Sequence, residues 1–120
     1  MAAPVVFRDG RYNGRSVREW LPDLVAALVE AADPLKIVLF GSVAAGTEGH
    51  DSDLDLLAVL PHVGDKLETM LELRRATAHV PVPLDIIPTD PDEIARRGDE
   101  VGNVLRPALR HGQVLHERSA

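Results

Sequence analysis

The sequence contains no cysteine, and aromatic residues make up only 3% of its 120 residues. Without cysteine, neither a disulfide framework nor a thiolate metal site can form. No stretch approaches the roughly 20 consecutive apolar residues that span a bilayer, and the N-terminal region lacks the apolar run of a signal peptide. We therefore expect a cytoplasmic protein whose core consists mainly of leucine, valine and alanine.

Positive charge is also scarce. The formal net charge is −6 and the isoelectric point is about 5.2, so the field of the protein repels polyanions and general nucleic-acid binding is disfavoured. With 45% hydrophobic and 27% charged residues, a chain of this length is typical of one compact domain. We expect residues 1–15 to form an N-terminal arm and residues 16–120 to form a single domain.

The apolar pattern predicts helices alternating with strands. Ser16 and Glu19 have the spacing of a capping box that opens a helix, which ends at Asp33 before a proline. Strands are predicted at 36–40, 53–60 and 82–87, a short edge strand at 114–115, and further helices from Asp65, from Asp90 and over 101–110. In the helix that begins at Asp65, the side predicted to be apolar contains Leu67, Met70, Leu71, Arg74 and Ala78. This order predicts an α/β (α+β) fold, a small mixed β-sheet with helices packed against it.

The segment 37–60 holds the most informative pattern, an apolar strand, a glycine-containing loop over 41–52, and a strand that begins with acids. Asp53 and Asp55 alternate with apolar Leu54 and Leu56, so on a strand both carboxylates lie on one face, with Cα atoms about 6.6 Å apart. Like charges this close repel each other. A divalent cation is the simplest way to offset that repulsion, and Asp85, an acid within an otherwise apolar strand, is a third candidate.

Two familiar loop motifs do not fit this segment. A phosphate-binding P-loop requires lysine where the chain has Thr47. A calcium-binding loop requires glycine where the chain has Leu56, and glutamate where it has His62. Both readings are rejected.

The combined pattern resembles the nucleotidyltransferase family related to DNA polymerase β. The elements of that family are hG[GS], then [DE]h[DE]h with h apolar, then an acid on a later strand. The corresponding residues here are Phe40-Gly41-Ser42, Asp53-Leu54-Asp55-Leu56, and Asp85. The segment GSVAAGTEGHDSDLDLLAV is particularly similar to minimal nucleotidyltransferases (MNT proteins), which are often paired with a HEPN ribonuclease toxin. The resemblance extends over about residues 21–115.

This resemblance implies a site and a reaction. Asp53, Asp55 and Asp85 would bind Mg²⁺, Asp85 would also act as base, and Ser42 with the amide of Gly41 would orient the phosphates of ATP. AMP would pass to a hydroxyl group of a partner protein, the HEPN toxin, and the protein would be its antitoxin. An acceptor site shared within a homo-oligomer is the other arrangement that the resemblance allows.

The loop departs from the family at two positions. Many MNT loops read GSRARG, whereas this chain has Val43 and Ala45 in place of the arginines. Substitute cations are available, although arginines on helices usually face solvent: Arg74, Arg75, Arg96, Arg97, Arg106 and Arg110. Two alternatives to protein modification therefore stay open, a binding module that neutralises its partner by occlusion, and a small-molecule nucleotidyltransferase acting as a dimer.

Overall fold

The computed structural model describes residues 5–46 and 53–119, apart from the side chains of Ser42 and Ala45. Its elements are β1 (Phe7–Arg8), β2 (Arg11–Tyr12), a 3₁₀ turn (Arg18–Trp20), α1 (Leu21–Ala32), β3 (Lys36–Phe40), α2 (Gly41–Ala45), β4 (Leu54–Val59), α3 (Lys66–Ala76), β5 (Leu84–Thr89), α4 (Pro91–Arg97), α5 (Leu105–His111) and β6 (Gln113–Glu117). The predicted mixed α/β fold is confirmed. Within these residues, no helix has both the length and the apolar character needed to cross a membrane.

The main sheet has four strands in the order β5-β4-β3-β6. Strand β4 runs parallel to β5 and antiparallel to β3, and β3 runs antiparallel to β6. Because β3 and β4 are central and covered on both faces, successive residues of each are buried, as a nearly continuous apolar run requires.

Two hydrophobic clusters cover the two faces of the sheet. On one face, Leu24 and Leu28 of α1 and Leu73 of α3 pack against strand residues that include Leu56. On the other face, Leu105 and Ala108 of α5 form a smaller cluster with the strand residues Val38, Leu57 and Val59. The sheet therefore forms the middle layer between two hydrophobic clusters.

The segment preceding α1 packs against the start of that helix. β1 and β2 form an antiparallel hairpin, and the rings of Phe7 and Tyr12 lie 4.6 Å apart. The Trp20 indole N–H donates to the Tyr12 carbonyl at 2.8 Å, and the Arg15 guanidinium lies 4.0 Å above the Trp20 ring. The separation of residues 1–15 as an arm stays a prediction, although residues 5–15 contact the helix that follows.

The predicted capping box is present at the 3₁₀ turn. The Ser16 N–H donates to the Glu19 carboxylate at 3.1 Å, and the Glu19 N–H donates to the Ser16 hydroxyl at 3.3 Å. Helix α1 itself begins at Leu21 and ends before Asp33, whose φ of 43° is left-handed. The box therefore starts the turn that leads into α1.

The prediction of which side of α3 faces the core is wrong. Leu67 and Leu71 are 64% and 48% exposed, whereas Leu73 is only 2% exposed and packs in the core. Thr77 is also buried, and its hydroxyl donates to the carbonyls of Leu73 and Arg74 at 3.0 and 3.2 Å. Because these helix carbonyls satisfy the threonine, a polar residue can lie on the core side of the helix.

Asp90 connects α4 to the segment before α3. Its carboxylate accepts from the N–H groups of Glu93 at 2.9 Å and Val63 at 2.8 Å. These two hydrogen bonds lower the pKa of Asp90 below its ordinary value of 3.8. Since the charged form is the one that is bound, its stabilisation is present above the unfolded-state pKa and is lost as pH falls through the folded-state pKa.

We expect Asp90→Ala to lower the free energy of unfolding by about 1–2 kcal/mol at neutral pH, as for a helix N-cap. Urea denaturation measures the loss. Asp90→Asn keeps an acceptor oxygen and serves as the control, with a smaller loss. An Asp90→Ala variant as stable as the wild type would contradict a structural role for this carboxylate.

Candidate active site

The sheet register brings two of the predicted acids together. Asp55 of β4 is paired with Asp85 of β5, and neighbouring strands lie only about 4.8 Å apart. Leu54 and Leu56 are fully buried in the cluster on the opposite face, as the alternation predicts. Asp53 is exposed and directly precedes β4. Asp55 and Asp85 are thus neighbours near the N-terminal ends of β4 and β5, and Asp53 lies just before β4.

Asp55 bears the main electrostatic cost of this arrangement. Partial burial raises the pKa of the Asp55 carboxyl above its ordinary value of 3.8, and the negative charges of Asp85 and Asp53 raise it further. Burial acts because a charged carboxylate loses hydration, and the neighbouring acids act through repulsion. The surroundings therefore disfavour the ionised form of Asp55, and a bound cation would favour it.

Gly41 lies against the Asp55 carboxylate. Phe40, the last residue of β3, is paired with Asp55, so the turn into α2 passes directly beside the acid. Gly41 has a φ of +78°, and a Cβ there would overlap Oδ2 of Asp55 and lie 3.2 Å from its Cγ. Both the backbone conformation and the space therefore require glycine. The predicted role of the Ser42 hydroxyl falls outside the described side chains.

The burial of Val43 accounts for one of the two departures from the MNT loop pattern. Its side chain is fully buried in the larger hydrophobic cluster, so position 43 serves the core here. The guanidinium of Arg18 donates a hydrogen bond to the Val43 carbonyl, which connects the turn before α1 to α2. Sequence reasoning missed Arg18, since no motif links residues 25 positions apart. Residues 41–45 of the predicted loop form helix α2, so this part of the prediction is wrong. The Ala45 side chain and residues 47–52 of the predicted loop lie outside the described part.

Among the six arginines named as substitute cations, Arg74 contacts a predicted site residue. One of its guanidinium nitrogens lies 3.4 Å from Oδ1 of Asp85. Others have different partners: Arg75 donates to the Leu71 carbonyl, Arg97 pairs with Glu100, and Arg110 pairs with Asp99. Arg74 thus brings positive charge to the acids from the last turn of α3.

The donor set suits a hard cation. Carboxylate oxygens are the ligands that Mg²⁺ prefers, together with phosphate oxygens and water, and the raised pKa of Asp55 marks a place where positive charge is favoured. In the conformation described, however, no group of three or more histidine, cysteine or acidic side chains within 5–46 and 53–119 is arranged to hold an ion. The chemistry of the donors fits Mg²⁺, and the three acids are not assembled around one point.

Comparison with known proteins identifies the family. Residues 21–108 match the nucleotidyltransferase domain family, so the chain belongs to that family. The fold is similar to a crystal structure from Sulfolobus solfataricus that carries the provisional name of nucleotidyltransferase. The TM-score is 0.59 at 19% identity, covering 83% of this chain and 79% of that chain. No curated protein matches the sequence.

The family assignment confirms the general resemblance and supports nucleotidyl transfer as the class of activity. The similarity to the Sulfolobus structure shows the shared fold. The narrower relationship to MNT antitoxins, and the roles of individual residues, stay predictions.

Gly41→Ala tests the contact between the α2 turn and Asp55. We expect a destabilisation of roughly 1–2 kcal/mol from the left-handed backbone, and weaker Mn²⁺ binding because the new methyl group displaces the Asp55 carboxylate. Gly46→Ala is a matched control, since Gly46 also has a positive φ of +74° but its added Cβ meets no described atom within 4 Å. Equal Mn²⁺ affinity in the two variants would contradict the expected displacement of the Asp55 carboxylate by a side chain at position 41.

Asp55→Asn tests the electrostatic cost in chelator-treated protein. Because the folded-state pKa is raised, folded protein binds more protons than unfolded protein above pH 3.8, and stability falls as pH rises through that window. We expect the variant to withstand more urea than the wild type at pH 7, with the advantage disappearing by about pH 4. Glu72→Gln, on the exposed side of α3, controls for net charge. A constant difference across the pH range would contradict this explanation.

Proposed function

We propose that this protein is a Mg²⁺-dependent nucleotidyltransferase that transfers AMP from ATP to a hydroxyl group of a partner protein. The proposed partner is a HEPN-type toxin, for which the protein would act as antitoxin. The observation that carries the proposal is the pairing of Asp55 with Asp85 beside the side-chain-free backbone of Gly41. Membership of the nucleotidyltransferase family supports the reaction class.

In this proposal Asp53, Asp55 and Asp85 hold the Mg²⁺ ions. Bound there, Mg²⁺ would neutralise charge on the triphosphate and on the transition state. The fold positions Asp55 and Asp85, because the residues that follow them, Leu56 and Ile86, are buried in the core and fix strands β4 and β5. Because the strand register holds the backbones of Asp55 and Asp85 side by side, binding of the ion needs movement of side chains more than of the backbone.

The proposed reaction is an in-line attack of the acceptor hydroxyl on the α-phosphorus of ATP, with Asp85 as the base. Asp85 takes the proton from the acceptor hydroxyl, whose oxygen forms a bond to the α-phosphorus of ATP. The bond from the α-phosphorus to the bridging oxygen breaks, and pyrophosphate leaves with that electron pair. In this assignment the Gly41 amide and the Ser42 hydroxyl orient the β- and γ-phosphates.

The solvent exposure of Asp53 and Asp85 supports a protein acceptor. Asp53 is exposed, and the Asp85 side chain is 57% exposed on β5, at the edge of the sheet. An acid at a sheet edge can be reached by a hydroxyl group carried on a large partner. The net charge of −6 disfavours a nucleic-acid acceptor.

Burial of Val43 favours the occlusion alternative. Val43 is a core residue at a position where many MNT loops have an arginine, so one cation that would bind triphosphate is missing. The protein would then neutralise its partner by binding alone. A small-molecule transferase acting as a dimer is the remaining alternative, and turnover without any protein acceptor would support it.

Transfer of label from α-³²P-ATP in the presence of Mg²⁺ tests the proposal directly. The reaction is run with and without the protein encoded beside this one. We expect label on that neighbour, and a loss of at least about 100-fold when Asp53→Asn and Asp55→Asn are combined, since even indirect supports of a metal site cost 10- to 100-fold.

A double variant with the same charge change, Glu72→Gln with Asp92→Asn, removes two exposed acids that lie on α3 and α4, outside the paired strands, and should keep full transfer. A stable complex that never becomes labelled would favour occlusion instead. Label that persists in the Asp53 and Asp55 double variant would disprove the assignment of these acids.

A further inference from the structure

The contact between Arg74 and Asp85 links α3 to the acids across the edge of the sheet. Asp85 lies on β5, which is an edge strand, and α3 packs on the face of the sheet opposite to the acids through Leu73. Burial of Leu73 fixes the rotation of α3, so the next residue, Arg74, stands beside β5. Its guanidinium can then reach around the strand to Asp85.

This ion pair is loose and exposed. Arg74 and Asp85 approach at one nitrogen and one oxygen, 3.4 Å apart, with 53% and 57% of their side chains exposed. By contrast, Lys66 contacts both oxygens of Glu93 at 2.8 and 2.9 Å, and Glu93 is only 19% exposed. The second pair has the geometry of a structural connection between α3 and α4. The first has the geometry of an exchangeable contact, because solvent screens it and water can replace it.

Arg74 and a metal ion would compete for the same carboxylate. Asp55 is flanked by two negative charges, which favours a cation between Asp55 and Asp85. Asp85, however, already has a positively charged partner, and no three acidic or histidine side chains of the described part are gathered around an ion position. A cation bound by Asp85 would repel the Arg74 guanidinium and draw on the charge of the same carboxylate, and its binding would therefore weaken the Arg74 contact.

We propose that Arg74 is a positioning residue that holds Asp85 in the metal-free protein and releases it when a divalent cation binds. The pair then sets the cation concentration at which all three acids assemble, and this assignment rests on the metal site of the proposed function. Arg74 stabilises the resting state, in which the repulsion among the acids is partly compensated. Its removal should make the site bind metal more readily, with little effect on folding.

Mn²⁺ binding to the full chain without nucleotide, followed by electron paramagnetic resonance of free Mn²⁺, tests this assignment. We expect Arg74→Gln to increase Mn²⁺ affinity by about two- to five-fold, the range of effects of an exposed ion pair. Arg75→Gln is the matched control, since it removes the same charge from the same helix, where Arg75 donates to the Leu71 carbonyl. Arg74→Lys keeps the charge and should stay near the wild-type affinity.

Asp85→Asn provides the test of contact. In that background, Arg74→Gln should change Mn²⁺ affinity no more than Arg75→Gln does, because the competed carboxylate is gone. Equal effects of the two arginine variants with Asp85 intact would overturn the inference, and so would failure of both wild type and Arg74→Gln to bind Mn²⁺.

The inference and the proposed function can fail separately. Label transfer without an Arg74-specific effect on Mn²⁺ affinity would overturn the positioning role and leave the transferase activity in place. An Arg74-specific effect without label transfer would support the positioning role and count against the transferase activity.

Discussion

Two carboxylates, those of Asp55 and Asp85, lie side by side at paired positions of the parallel strands β4 and β5. Charges of the same sign at this spacing repel, and burial of Asp55 adds the loss of hydration, so the arrangement opposes folding. It persists because the residue after each acid, Leu56 or Ile86, is almost fully buried. The hydrophobic core therefore holds the acids together against their repulsion.

The surroundings of the acids divide into a rigid part and an exchangeable part. On the β3 side, Gly41 leaves no space between the backbone and Asp55, and Val43 anchors the following turn in the core. On the β5 side, Asp85 and Arg74 meet in an exposed pair. The surroundings therefore restrict the Asp55 carboxylate closely and leave the Asp85 carboxylate largely exposed.

Position 43, in the segment after β3, contributes to the core. The MNT loop pattern predicts an arginine there, whereas the valine of this chain is buried among core residues. Arg18 bonds to the carbonyl of the same residue from the turn before α1. Positive charge is thus present near the loop, although it contacts the backbone and comes from another element.

Helix α3 illustrates why side-chain burial was harder to predict than the helix itself. The helix begins directly after Asp65, close to the predicted start, and Asp65 caps it by accepting from the Glu68 N–H at 2.9 Å. Its apolar residues fit two different stripes, and the predicted one contained Leu67 and Leu71, which are exposed. The stripe with Leu73 and Thr77 faces the core, since the threonine hydroxyl is satisfied within the helix.

Local sequence was sufficient to locate strands β3 to β6, the Ser16–Glu19 capping box and the alternation of Asp53 with Asp55, because each depends on neighbouring residues and on the period of a strand or helix. It also identified Asp85 as an acid out of place in an apolar strand. It did not predict the β1–β2 hairpin or helix α2. The pairing of Asp85 with Asp55, the burial of Val43 and the reach of Arg74 to Asp85 were decided only by tertiary structure. Those features depend on strand order, register and helix rotation, which are set by packing between segments far apart in the chain.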